Sequence, residues 1–275
     1  MRLPGGIVEG GALQRDFTFR PMTGAVELAV GEAGAAQSSL PARVTAALAA
    51  SLEIVGGLPP LPEVVTGLSV ADRQFLMLEL AVRLAPGETW LTAWCGTCRE
   101  RFDFAVDYRC LPVKEAGAGY PFAEVRTSRG PCRFRVPTGT DQEIVADLDD
   151  DEAVRCLLAC CLVAHDGRMA DGRSSREIVN SFSRDDFEAI DAAFESVAPE
   201  VAVSVQAACP ACGALHMIPV DPYRALSGLQ GENLLQEIHA IASAYHWGEA
   251  EILALPLDRR RRYLELIERA RGMAG

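Results

Sequence analysis

Four cysteines in two spaced pairs, Cys95-Gly96-Thr97-Cys98 and Cys209-Pro210-Ala211-Cys212, are the residues of this chain best suited to chemistry. The C-x-x-C spacing lets two thiolates grip one side of a tetrahedral ion, and two such pairs complete a four-thiolate site. Zinc fits such a site with bonds of about 2.3 Å, and four thiolates leave no open coordination position. The cofactor implied is therefore a structural Zn2+ that folds the chain. Iron also accepts four thiolates, so spacing alone leaves the metal open. A redox role competes, but a thioredoxin-like site needs one pair followed by a helix, and both pairs here precede strand-like sequence. His216, four residues past Cys212, is the alternative fourth ligand.

The elements that must position these thiols are β-like. Trp90 to Trp94 and Phe102 to Phe104 flank the first pair, and Val201 to Val205 and Leu215 to Ile218 flank the second. Strand, thiol turn, strand, twice over, is the plan of a zinc ribbon. Yet 110 residues separate Cys98 from Cys209, where a compact ribbon needs roughly 15 to 20. The expected fold class is α+β: a split zinc ribbon with a large α/β insertion and a C-terminal helical segment. The expected units are an N-terminal α+β region (1–87), two ribbon halves (88–122 and 201–222), an inserted, mostly helical lobe (123–200) and a helical partner-binding region (223–275).

Along the chain, residues 1–15 are Gly-rich and expected to fray, with strands at 16–20 and 26–28 and a loop at 31–39. Pro41 opens a helix through Leu52 with Ser39 or Leu40 near its cap, and Ser69 with Asp72 caps another whose apolar side is Phe75, Leu76, Leu80 and Leu84, ended by Pro86-Gly87. A hairpin spans 123–136, and a capping box at Thr140 to Glu143 opens a helical region reaching His165. Asp166-Gly167 and Asp171-Gly172 read as turns, and Ser183 with Asp186 caps a helix bearing Phe187, Ile190 and Phe194. After the second thiol pair the chain reads as helical. Leu234, Ile238, Ile241 and Tyr245 share one stripe, a short helix spans 249–255, and a last one spans 258–271 with Tyr263, Leu264 and Ile267 inward.

Composition narrows the function. With 26 basic against 38 acidic side chains, the formal charge of −12 argues against wrapping nucleic acid or an anionic membrane. The basic run Arg259 to Arg262 is followed in the same helix by Glu265 and Glu268, which suits a salt-bridged or protein-binding helix. A zinc-ribbon nucleic-acid-binding or regulatory protein remains the alternative. Nine cysteines on a long chain suit metal in a reducing compartment, with Cys156, Cys160 and Cys161 as inert helical core and Cys110 and Cys132 without partners. No apolar leader or membrane-length run is evident, so a cytoplasmic location is expected. His239 and His246 lack the spacing of a zinc hydrolase, and the acidic run 147–152 suits a helix start better than a calcium loop. With no phosphate loop or nucleophile elbow, the chain is not expected to be an enzyme.

The segment Tyr245-His246-Trp247-Gly248, then Glu251-Ile252-Leu253, Leu255-Pro256, Arg259-Arg260 and Tyr263-Leu264, resembles the baseplate hub assembly chaperone family of T-even-like contractile phages and phage-derived contractile injection systems. Phe19-Arg20-Pro21-Met22-Thr23-Gly24, the Leu68 to Leu84 helix with Asp72-Arg73, and Leu111-Pro112 are similar in order; residues 123–200 carry no such likeness. The resemblance implies a non-enzymatic assembly role with hub, spike or tape-measure proteins as partners, in the cytoplasm or retained in a tail-like particle. The terminal helices carry more apolar surface than a short tail buries alone. Tyr245, His246, Trp247 and Tyr263 are therefore the expected partner-binding residues.

Overall fold

The computed structural model describes residues 1–85, 87–224, 226 and 232–273; Pro86, the expected helix stop, and parts of the expected C-terminal segment lie outside the described residues. The chain is a mixture of helices and antiparallel strand pairs. It opens with β1 (Arg2–Glu9) and β2 (Ala12–Phe19), followed by α1 (Gly24–Ala35), α2 (Leu40–Ser51), β3 (Leu52–Val55), α3 (Pro62–Thr66) and α4 (Val70–Leu84). The sheet order is β1-β2-β3, and Leu3, Phe17, Val44, Leu48, Leu52, Leu76, Met77 and Leu80 form the core beneath it.

Three expectations fail in this region, each for a non-local reason. Residues 1–15 do not fray, because Leu3 is buried in the core and the Gly5 and Gly6 amides donate to the Asp72 carboxylate at 2.7 and 3.0 Å. Arg15 secures the same strand by donating to the Leu3 and Pro4 carbonyls at 2.7 and 2.6 Å. Residues 26–28 are not a strand but the first turn of α1, capped by the Thr23 hydroxyl, which accepts from the Val26 amide. Packing against α2 overrides the β preference of Val26, a weak local signal. The expected 31–39 loop accordingly shrinks to the residues after Ala35. Of Ser39 and Leu40, Ser39 is the cap of α2, and Ser69 caps α4 as read.

The first thiol pair sits between β4 (Thr89–Trp94) and β5 (Arg101–Val106), and a 3-10 turn at Tyr108–Cys110 leads to β6 (Val113–Lys114). The inserted residues supply β7 (Phe122–Thr127), β8 (Gly130–Arg135), α5 (Gly139–Val145), α6 (Asp150–Cys161), β9 (Leu162–His165), β10 (Arg168–Met169), α7 (Gly172–Asn180) and α8 (Arg184–Val197). Their sheet has the order β10-β9-β8-β7 and its own core of Phe134, Leu158, Cys161, Leu162, Val179 and Ile190.

Here too the reading needs correction. The capping box is Thr138 with Asp141, whose carboxylate accepts from the Thr138 amide and hydroxyl at 2.8 and 2.9 Å; it is not centred on Thr140. The helical run ends at Cys161, and Leu162–His165 pairs with β8, because a uniformly apolar run carries no period and the neighbouring strand edge decides it. Asp171 is not a turn residue but the N-cap of α7, accepting from the Arg173 and Ser174 amides.

The chain leaves this lobe through β11 (Glu200–Val201), which pairs antiparallel with β6, and enters β12 (Ser204–Ala208) and β13 (Leu215–Pro219), the strands around the second thiol pair. It ends in α9 (Glu232–Tyr245), α10 (Glu249–Leu253) and α11 (Leu257–Met273). Leu234, Ile238, Ile241, Ile252 and Ile267 join these helices, with Leu28 of α1 packed against them.

Two buried arginines fix how the helices meet. Arg260 is fully buried, donating from Nε to Glu237 at 2.6 Å and from Nη2 to both Glu27 oxygens at 2.9 and 2.8 Å. A Cβ on Gly24 would lie 2.9 Å from its Nη1, so the close approach of α1 depends on that glycine. Backbone bonds Gly24 to Leu255 and Leu257 to Met22 complete the joint. Arg73, also fully buried, donates to the Thr45 hydroxyl and to the Val65 and Pro41 carbonyls, with the start of α5 directly over it. A Cβ on Gly139 would stand 2.5 Å from the Arg73 Cζ.

Candidate metal centre

The two thiol turns are built alike. In the first, the Cys95 amide donates to the Glu100 carbonyl at 2.9 Å and the Arg99 amide returns to the Cys95 carbonyl at 2.9 Å. In the second, the Cys209 amide donates to the Ala214 carbonyl at 2.9 Å and the Gly213 amide to the Cys209 carbonyl at 2.8 Å. The fifth residue of each turn takes a left-handed backbone, φ 64° at Arg99 and 74° at Gly213. Strand register places each turn at the end of a hairpin, Trp94 opposite Arg101 and Ala208 opposite Leu215.

The hairpins face one another across Phe102, Ala207, Phe104 and Ile218, which brings the two turns together. The sulfurs of Cys95, Cys98, Cys209 and Cys212 all lie within 4.8 Å of one another. Cys95 to Cys212 measures 3.5 Å and Cys98 to Cys209 3.7 Å. A tetrahedron with bonds of about 2.3 Å has edges of about 3.8 Å, so the sulfurs stand where a bound ion needs them. Cys95 and Cys209 are buried on the hairpin side, whereas Cys98 and Cys212 are exposed.

The protonation chemistry of the set points the same way. The Cys98 amide, donating to the Cys95 sulfur at 3.4 Å, leads the groups that hold this thiol down to about 5. The Glu100 amide acts to lower Cys98 as well, but desolvation and the neighbouring sulfurs outweigh it and push that thiol up to about 12. For Cys212 the Ala214 amide lowers, yet Cys95 and other opposing effects leave it raised. One thiolate, at Cys95, is thus favoured, while Cys98 and Cys212 hold their protons because a further thiolate beside it would be repelled. A divalent cation replaces those protons and relieves the repulsion.

Around the sulfurs, His216 Nε2 lies 3.2 Å from Cys95 Sγ but outside the mutual four-sulfur cluster, and its ring leans on Phe102. The thiols are not alone in joining the halves. The β6–β11 pair and a layer of Leu78, Val106, Tyr108, Leu111, Val201 and Val220 close the base of the insertion. Cys132 and Cys161 are buried, Cys156 and Cys160 are half-buried, and Cys110 is exposed.

The remaining candidates separate. Tyr245 stacks on Trp247 and both meet Tyr263 edge-on, with centroids 5.0 to 5.3 Å apart, half-buried against the terminal-helix core. His246, exposed with φ 57°, terminates α9, and His239 is exposed on the same helix. The arginine run is not uniformly solvated: Arg260 is buried and Arg261 donates to the Leu84 carbonyl at 2.9 Å, leaving Arg259 and Arg262 exposed. Arg269 pairs with Glu265 at 3.7 Å. Asp149 caps α6, as the helix-start reading of the acidic run requires. No helix among the described residues is long and apolar enough to cross a membrane.

Two residues of the first hairpin escape notice as long as attention stays on the thiols. Trp90 and Trp94 are 65% and 71% exposed on the outer face of β4. Period-two alternation gives the signal: Leu91, Ala93 and Cys95 point to the site, so Trp90, Thr92 and Trp94 point away. In comparisons with known proteins, no protein-family model, curated protein or solved structure matches the chain.

Proposed function

We propose that this protein is a zinc-stabilised, non-enzymatic assembly factor or minor structural subunit of a contractile phage tail or a phage-derived contractile injection system. In this reading the metal centre is a split zinc ribbon, with Cys95, Cys98, Cys209 and Cys212 around one Zn2+. The observation that carries it is the closed set of four sulfurs: an ion saturated by protein ligands has no position for water or substrate. Its task is then to hold two hairpins, and what each carries, in one arrangement.

The tail assignment rests on the resemblance, and one feature of the fold supports it. Two of the scattered pieces that carry the likeness meet in space: Met22 to Gly24 pairs with Leu255 to Leu257. The partner-facing end comprises Tyr245, His246, Trp247 and Tyr263, with the three larger rings in mutual contact and braced from behind by the helical core. Nucleic-acid binding is the weaker reading, because Arg260 and Arg261 are spent on internal bonds.

Two measurements test the proposal separately. Elemental analysis of purified protein should find one zinc per chain, and metal-free protein with intact hairpins would overturn the centre. Co-expression with hub, spike and tape-measure proteins of a contractile tail should give a complex that Trp247→Ala weakens. Failure to bind any of them would overturn the assembly role.

A further inference from the structure

The outer face of the first hairpin carries an arrangement that neither the metal centre nor the terminal helices use. Thr92 lies midway between Trp90 and Trp94 on β4, and Asp103 on β5 is its direct partner across the strands. The Thr92 hydroxyl donates to Asp103 Oδ1 at 2.6 Å, which fixes the carboxylate in the middle of the face. Trp90 and Trp94 are then the two diagonal neighbours of Asp103, at about 7–8 Å between Cα atoms, within reach of long side chains. Both indoles are largely in water, and Asp103 is exposed. Among the described residues the carboxylate has no ion-pair partner, although Arg101 stands opposite Trp94 on the same face.

An apolar partner laid over this face would bury Asp103, whose carboxylate is in no ion pair with Arg101 or any other described residue, which is costly. A phosphate backbone would meet a negative centre. A guanidinium suits all three groups at once: it pairs with the carboxylate, and its flat faces lie against indole rings within about 6 Å. We infer that Trp90, Asp103 and Trp94 form a docking site for an arginine side chain presented by an extended segment of a partner protein. The charge of −12 draws such a segment toward the molecule. Because Trp94 directly precedes Cys95, the metal centre holds the end of the strand that displays the site. The inference does not depend on the contractile-tail assignment.

The probe is tri-arginine, with a tri-citrulline peptide as its neutral match, titrated into metal-loaded full-length protein carrying Trp247→Phe so that fluorescence reports Trp90 and Trp94. Saturable quenching by tri-arginine is expected, weakened about fivefold or more by the citrulline peptide or by Asp103→Asn. Trp90→Gln, a change at an exposed side chain, should weaken it similarly with metal content and melting midpoint unchanged. It serves as the second variant if Asp103→Asn disturbs the hairpin. Equal responses to both peptides, indifference to both variants, or no saturation at millimolar peptide would overturn the site. Quenching by a neutral oligosaccharide without a tri-arginine response would overturn it in favour of sugar stacking.

Discussion

Two places in this molecule tie together stretches of chain more than a hundred residues apart, and they do so by opposite means. At the thiol centre, Cys95 meets Cys212 across 117 residues through groups that repel once deprotonated. At the terminal joint, Arg260 meets Glu27 across 233 residues through charges that attract, with Glu237 as a second acceptor. On the proposed reading an ion from outside closes one tie, whereas the chain supplies every charge of the other. The thiol tie is then conditional on metal supply and the arginine tie is not. Burial leaves a mark on the second: desolvation raises the Glu27 carboxyl above its ordinary range despite the hydrogen bonds from Arg260.

The largest effect should come from breaking the conditional tie. Cys209→Ser removes a buried ligand and should abolish stoichiometric metal binding, forfeiting much of the roughly 10–16 kcal/mol apparent binding energy typical of such sites. Amide exchange should rise across residues 89–106 and 204–219 but stay slow in the terminal helices. A variant that still holds one metal would erase the distinction. Next, Arg260→Met leaves two carboxylates facing each other without a cation and should cost about 3–5 kcal/mol. Metal content should not change, which elemental analysis beside a thermal melt would check.

A smaller effect is expected at the other buried arginine. Gly139→Ala places a methyl against the Arg73 guanidinium and should cost about 1–3 kcal/mol through overpacking, read as a shift of the denaturant midpoint. The mildest and most regional change should follow pH. Hydrogen bonds from the Ser128 amide and hydroxyl, and from Ser183, hold the Asp186 carboxyl well below its ordinary value. A depressed carboxyl contributes stability above its unfolded value of about 3.9 and loses it as pH falls through the folded value. Glu27 has the opposite sign, because its raised carboxyl is relieved when protonated. Amide exchange followed from neutral to acid pH should thus show the α8 cap region loosening below about pH 4, before the Glu27 joint does. Simultaneous loosening would contradict this ordering.

Much of the local architecture was legible. Ser39, Ser69 and Ser183 start helices because each cap is completed within three residues. The thiol turns were legible for the same reason. Illegible were the features whose partners lie far away: β1 depends on Asp72, 67 and 66 residues from the amides it accepts from, and β9 depends on an edge offered by β8. The arginine run showed its charge but not that Arg260 would be engulfed. The terminal aromatics were read as surplus, and their mutual stacking became visible only once α9 and α11 were packed.

By itself, then, the sequence determined the donor set, the turns that hold it, most helix starts and the strand alternation that turns Trp90 and Trp94 outward. These follow from contacts a few residues long. Tertiary structure alone decided that the two thiol turns meet, that Asp72 and Arg260 serve as internal anchors, and that Asp103 falls between two indoles. Those outcomes depend on which distant surfaces exclude water together, a property of the folded chain that no short window of residues contains.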